Sequence, residues 1–224
     1  MWSCKIPRET SFALPDTQST REASLRVAPA NQVAFDDVQL VFGDRGPAAR
    51  CQCQRYRLWP GESFGKQPAG QRQHRLREQT GCGDPDAPTC GLVAWLEDEP
   101  VGWCAVGPRS DLNGLKRVFT VPWKGRDEDP DDPTVWAVTC LYIRKGFRRR
   151  GIASALVLAA VEHARSREAR ALEGYPITRT DVINEELHVG TVSMFEEAGF
   201  RPVSAPSPRR LVMRIDFQKP ARSG

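Results

Sequence analysis

A chain of 224 residues, 40% hydrophobic and 27% charged, has room for one ordinary globular domain with length to spare. No apolar run approaches the roughly 20 residues of a membrane span, and the amino-terminal MWSCKIPRETSFALPDTQSTREA lacks the continuous apolar stretch of a secretory signal. A formal net charge of +4 permits an anionic ligand without demanding nucleic acid.

Residues 1–22 are polar and aperiodic and are expected to form a disordered tail, with a second tail at 219–224 and one domain between them at 23–218. Leu25 to Ala28 reads as a short first strand. Val33 to Phe42 carries apolar residues partly at helical spacing, and Gly43 is placed to end that helix. Periodicity is poor through RCQCQRYRLWPGESFG. A polar second helix is expected over 69–79, and a Gly/Pro/Asp loop follows. Gly91 to Leu96 and Val101 to Val106 read as a hairpin around EDEP. Residues 110–133 read as a long solvated connection, with five acidic residues between Asp127 and Asp132. Next comes VWAVTCLYIRKGFRRRGIASALVLAA, from Val135 to Ala160. It reads as a strand ending at Ile143, a basic turn with Gly146 and Gly151, and a helix running to about Glu168. A strand over 171–177, a loop, a short helix over 191–198 stopped by Gly199, and a final strand pair at 200–203 and 211–217 complete the chain. His74 and His163 read as helix-surface or edge residues. Hairpins mixed with crossovers indicate an α/β (α+β) three-layer domain with a mixed central sheet.

Strand, basic glycine turn and helix N-terminus together make an anion cradle, because backbone N–H groups and the helix dipole both favour negative charge there. A Walker loop requires G-x-x-x-x-G-K-S/T; Gly146 and Gly151 have that spacing, but Ile152-Ala153 replace the lysine and hydroxyl. No G-x-G-x-x-G follows a strand, which removes the Rossmann dinucleotide reading. What remains is Arg148-x-x-Gly151-x-Ala153, opening a helix directly after a strand. It resembles the Gln/Arg-x-x-Gly-x-Gly/Ala signature of the GNAT N-acetyltransferase superfamily. Met194-Phe195-Glu196-Glu197-Ala198-Gly199-Phe200 is similar to the family's closing helix followed by Gly-Phe and a strand. The resemblance spans roughly residues 24 to 217.

The resemblance implies a GNAT-type fold, with a splayed strand pair in the mixed sheet, and a cytoplasmic N-acetyltransferase using acetyl-CoA as co-substrate. Backbone groups of Arg149, Arg150, Gly151, Ile152, Ala153 and Ser154, with Arg148 beside them, would cradle the pyrophosphate. Leu141, Tyr142 and Ile143 would pair through their backbone with the pantetheine arm, like an added strand. The acceptor is expected to be a small-molecule amine. A protein lysine or N-terminal acetyltransferase and a non-catalytic acyl-CoA-binding module are the alternatives. No nucleic-acid or membrane partner is expected, and a homodimer is compatible with the family.

The chain departs from the family where protons move. Phe195 stands where many members have a tyrosine general acid, and Val138, Thr139 and Cys140 stand where many have a strand glutamate. His188, which titrates in the useful range, and Glu173, acting through water, are the candidate catalytic bases. Seven cysteines is an odd number and points to free thiols in a reducing compartment. Cys51-x-Cys53 is too tight, and the Cys82 to Cys90 spacing too loose, for a structural zinc site, so no metal is expected. The resemblance instead places Cys51, Cys53, Tyr56 and Trp59 along the acceptor cleft.

Overall fold

Val135–Ile143 is rich in β-branched and aromatic residues, which suit a pleated, half-buried surface, and it forms the central strand of the sheet. The structure, a computed structural model, describes residues 10–12, 24–118, 123, 125–179, 181–182 and 186–217. Eight strands lie in one sheet: β1 (Thr10–Phe12), β2 (Leu25–Pro29), β3 (Gly91–Leu96), β4 (Glu99–Pro108), β5 (Val135–Ile143), β6 (Ala171–Gly174), β7 (Arg201–Ser207) and β8 (Arg210–Asp216). Their order is β1-β2-β3-β4-β5-β6-β8-β7. Every pairing is antiparallel except β5 with β6. Six helices accompany them: α1 (Phe35–Phe42), α2 (Gly46–Cys51), α3 (Ala69–Thr80), α4 (Asn113–Val118), α5 (Ile152–Ser166) and α6 (Val192–Glu197). The mixed sheet between helical layers is the architecture expected from the sequence.

α5 lies across one face, burying Ile152, Leu156, Ala159, Ala160 and Ala164 against Leu92, Ala94, Val101, Val138 and Leu172. Fully burying one leucine contributes about 1.5–3 kcal/mol, so this stripe, rather than propensity, holds the helix to the sheet. On the opposite face, α1 and α3 cover Val93, Trp95, Trp103 and Ala105 through Phe35, Val38, Val41, Phe42 and Leu76. Further along that face Tyr56, Leu112 and Leu115 cover Ala137, Tyr175 and Val212.

Several expectations need correction. Residues 10–12 form an edge strand on β2 rather than unstructured chain; the rest of the expected tail, and the tail at 219–224, lie outside the described residues. Just before the low-periodicity stretch, and ending inside it at Cys51, lies α2, an unexpected six-residue helix with proline in its first turn, too short to show a period. Residues 110–133 are not simply a solvated loop. They include α4, and they bring Arg126 and Glu128 into a buried ion cluster. His163 is buried, its ring edge-on to Trp136 at 5.6 Å, whereas His74 is exposed as expected and pairs with Glu78.

Candidate functional site

The parallel ladder between β5 and β6 ends at Val138 and Gly174. Beyond it the chain leaves through Tyr175 and Pro176, and Ile177 bridges Thr191 and Arg210 instead. Residues 139–143 therefore extend past the β6 ladder, and this is the splay that the family resemblance implies. On its other edge β5 pairs with β4 with one irregularity: Cys140 faces Ala105 while Val138 faces Val106, leaving Thr139 as a bulge. The extra residue inverts the facing of all that follows. Trp136 and Val138 point to the α5 face, and so do Leu141 and Ile143; Cys140 and Tyr142 point to the α1 face. There Tyr142 stacks on Phe42 of α1, with ring centres 6.1 Å apart.

Directly after β5 the backbone turns through left-handed residues: Gly146 (φ 97°), Arg149 (φ 62°) and Gly151 (φ 73°). Gly151 caps α5, and its carbonyl accepts the first helical bond from Ala155 N at 3.0 Å. No side chain caps this end. The leading amides of α5 at Ile152, Ala153 and Ser154 thus lack both a capping side chain and an intrahelical acceptor. Arg148, Arg149 and Arg150 are exposed around them. Arg148 Nε donates to the Ile143 carbonyl at 3.3 Å, which ties the turn to the strand end. The Ser154 hydroxyl is turned away from the cap and reaches Glu197 of α6 at 3.4 Å. The structure therefore brings Leu141–Ile143 and Arg148–Ser154 together along one continuous edge.

His188 lies in a 3-10 turn, Glu186–Val189, packed against β5. Its Nε2 is 3.4 Å from the Tyr56 hydroxyl, and the two rings stack with centres 6.3 Å apart. Burial is the main cause that pushes the Tyr56 phenol up to about 12. At neutral pH the phenol therefore keeps its proton, and its hydroxyl can donate to or accept from the facing ring nitrogen.

Glu173 sits elsewhere, fully buried on β6. Its Oε1 accepts from Arg109 Nη1 at 3.2 Å, from Arg214 Nη1 at 3.1 Å and from Arg126, and its Oε2 accepts the Tyr175 hydroxyl at 3.0 Å. Glu128 closes the cluster at 2.9 Å from Arg214 Nη1 and 3.0 Å from Arg126 Nη2. Burial pushes the Glu128 carboxyl up, but Arg126 and Arg214 outweigh it and hold it below the usual range. The cluster meets the cleft through Tyr175, which packs with Tyr56 in one apolar group.

Of the residues expected along the acceptor cleft, Tyr56 meets His188 and Cys51 is half-buried. Cys53 is buried and accepts a hydrogen bond from Trp103 Nε1 at 3.2 Å. Its contact with Cys140, and then its burial, push the thiol well above the ordinary range. Trp59 is 60% exposed. Among the described residues no group of three or more histidine, cysteine or acidic side chains could hold a metal ion, and no helix is long and apolar enough to cross a membrane. The Tyr56–His188 contact, the three-arginine cluster and Arg210 were not anticipated from the sequence. Each depends on contacts between distant segments, which no local spacing announces.

The family model described as the acetyltransferase (GNAT) family matches residues 54–188. Among similar solved structures, the GNAT domain of PAT from S. lividans is 17% identical, with 93% of this chain and 97% of that one covered, at a TM-score of 0.50. An N-acetyltransferase from Staphylococcus aureus Mu50 is 11% identical, covering 86% of this chain and 98% of that one, also at 0.50. The structure of yncA from Salmonella typhimurium with its cofactor acetyl-CoA aligns at 11% identity and a TM-score of 0.49, covering 88% and 96%. No curated protein matches the chain. At these identities the structures establish the fold, while the family match extends over more than half of the sequence; the chain belongs to the acetyltransferase (GNAT) family.

Proposed function

We propose that this protein transfers an acetyl group from acetyl-CoA to an amine on a small molecule. The observation that carries the reading is the uncapped N-terminus of α5, set beside a basic turn at the end of a strand edge that the sheet leaves open. The residues fit the co-substrate. Gly151 has no side chain and Ala153 only a methyl, so a pyrophosphate can approach the amides of Ile152, Ala153 and Ser154, with Arg148 to Arg150 adding positive charge. The β5 edge at Leu141–Ile143 offers backbone groups to an extended arm, and the same amides can polarise a carbonyl placed against them. Acetyl-CoA would supply an activated acyl group on a thiolate leaving group.

The chain's own task is the amine. An alkylammonium has a pKa near about 10.4 and a thiol one near about 8.5, so removing the amine proton is the harder requirement at neutral pH. His188 accepts that proton at Nδ1, in the tautomer whose Nε2–H donates to the Tyr56 hydroxyl oxygen, and this contact holds the ring. Glu173 positions Tyr175 and the arginines beneath the cleft. The Gly114 amide donates to the Tyr56 carbonyl at 2.9 Å, and a Cβ at Gly114 would lie 2.7 Å from the Arg55 carbonyl, so α4 is clamped onto the segment that carries Tyr56. Free thiols at Cys51, Cys53, Cys82, Cys90, Cys104 and Cys140 fit a reducing compartment, and the reading places the enzyme in the cytoplasm.

Thermal unfolding with and without acetyl-CoA tests the donor half. Ligand at 100 times its dissociation constant should add about 2.7 kcal/mol of stability, and no shift would overturn the reading. Thiol release across an amine panel tests the transfer. A His188→Gln variant should lose the acidic limb of the pH–rate profile, and an unchanged profile would remove the base assignment.

A further inference from the structure

Among the described residues on the acceptor side, Arg210 is a partly buried arginine with no acidic partner. Arg109, Arg126 and Arg214 are matched by Glu173, Glu128 and Asp216. Arg209, beside it in the chain, pairs with Glu186 at 3.0 Å, and Arg179 pairs with Asp181. These last two pairs line an open hollow on the same turn, and their charges are already matched. Arg210 opens β8 and is half-buried. Among the described residues no carboxylate lies within ion-pair distance of it. Among the described residues its guanidinium makes one hydrogen bond, to the Tyr175 carbonyl at 3.5 Å, the far limit of such a contact.

A guanidinium carries five N–H donors in a rigid fork and stays charged. Holding one partly out of water with most donors unused is unfavourable unless something else completes it. Burial does pull Arg210 down from its usual range, and the groups that face it are Tyr56, Glu186 and Arg209. Glu186 is already engaged by Arg209. Tyr56 is the residue whose hydroxyl meets His188, so Arg210, Tyr56 and His188 converge on one stretch of cleft.

We propose that Arg210 binds an oxyanion on the acceptor, so that the substrate class is a small amine that also carries a carboxylate or phosphate group. This inference rests on the acetyltransferase reading. An amine at His188 would have its anionic group within reach of the Arg210 fork, which matches a carboxylate or phosphate by two parallel N–H bonds. Neutral amines lack that anchor.

The test measures thiol release at saturating acetyl-CoA with matched acceptors: amino carboxylates, aminoalkyl phosphates, and the corresponding amides and alcohols. Thermal shift with acetyl-CoA runs in parallel on every variant. Oxyanion-bearing amines should exceed their neutral counterparts in kcat/KM by tenfold or more, and whichever arm responds identifies the oxyanion. Arg210→Gln should raise KM for the preferred amine by about 10–100-fold, the range of a charge-assisted hydrogen-bonded pair. The preference over the neutral partner should collapse with it, and Arg210→Lys should restore part of it. Both variants should keep the acetyl-CoA shift, which reports an intact fold. Equal use of charged and neutral amines, an unchanged KM in Arg210→Gln, or silence of every oxyanion-bearing amine while acetyl-CoA still stabilises the fold would overturn the inference. Absence of any acetyl-CoA shift would overturn the acetyltransferase reading itself, and this inference with it.

Discussion

Replacing Glu173 with glutamine keeps the shape of the side chain and removes one negative charge from a site sealed off from water. Glu173 and Arg109 are each 0% exposed as side chains, Arg126 is 7% exposed and Arg214 is 5% exposed. At present three guanidiniums face three carboxylates: those of Glu173 and Glu128 and, at the rim, that of Asp216, 2.8 Å from Arg214 Nε. After the substitution they face only Glu128, 35% exposed, and Asp216, 65% exposed, and neither is sealed from water. The amide also adds two N–H donors that point toward three other sets of donors. Removing one partner of a buried ion cluster costs about 3–5 kcal/mol, because the remaining charges are left uncompensated. Against a typical total of about 5–15 kcal/mol, that should lower the melting midpoint by about 10 °C. The assay is equilibrium urea unfolding of Glu173→Gln, Arg109→Met and the double variant. The double variant should be more stable than the sum of the single losses by about 1 kcal/mol or more, since removing Arg109 relieves the excess positive charge. A Glu173→Gln protein within about 1 kcal/mol of the parent would refute the electrostatic reasoning. If that variant also lost turnover, Glu173 would have to act on the reaction directly.

Burial, with Arg167 adding to it, holds His163 down to about 4. The folded chain therefore keeps this imidazole neutral while the unfolded chain takes up a proton below about 6.5. Stability should fall as pH drops through that window, by about 2 kcal/mol between pH 7 and pH 5. His163→Leu should remove this part of the slope in urea midpoints; an unchanged slope would contradict the assignment. The carboxyls of Glu62 and Asp132, each held at about 2, lose their contribution only between their unfolded values and that point, below the His163 window. Gly151→Ala forces a β-carbon into left-handed backbone (φ 73°) at about 1–2 kcal/mol. It should also weaken acetyl-CoA stabilisation in a thermal-shift titration; an undiminished ligand shift would exclude Gly151 from the phosphate cradle. Phe195→Tyr should not gain turnover. The ring is fully buried, and a Cβ at Gly174 would lie 2.1 Å from it and one at Gly190 2.8 Å from it. A hydroxyl there lacks a partner and should cost about 1–3 kcal/mol. A rise in kcat would show that the position can still deliver a proton.

The strand–turn–helix proposed to hold the donor was readable because its signals are local. A strand, a basic glycine turn and an alanine-rich helix occupy consecutive residues, and their backbone geometry follows from composition over some twenty positions. α1 with Gly43 as its stop, the hairpin of β3 and β4, and Gly199 after α6 were readable for the same reason. The 110–133 connection was misread because charge runs on most surfaces are solvated, and Asp127 to Asp132 looks like one. Its partners, Glu173 and Arg214, are separated from it by roughly forty to ninety residues. Only the completed sheet places them under it. Tyr56 and His188, 132 residues apart, were each noticed, but their contact was not.

The bulge at Thr139 shows why that boundary falls between the two halves of the reaction. Read as a regular strand, VWAVTCLYI alternates, so Trp136, Val138, Cys140 and Tyr142 would share a face. The extra residue moves Cys140 and Tyr142 to the α1 face and returns Leu141 and Ile143 to α5. Nothing in the residue types demands it, because threonine, cysteine, leucine and tyrosine are acceptable on either side of a buried strand. Contacts through the β5 backbone are indifferent to that inversion, so the strand edge proposed for the donor could be located from sequence alone. Side chains that must meet an amine depend on it entirely. Cys140 faces Cys53 and Tyr56, and Tyr142 faces Phe42, only because one residue is out of register. The acceptor half of the site is thus built from register and long-range closure, and Arg210 acquires its place beside Tyr56 by the same route.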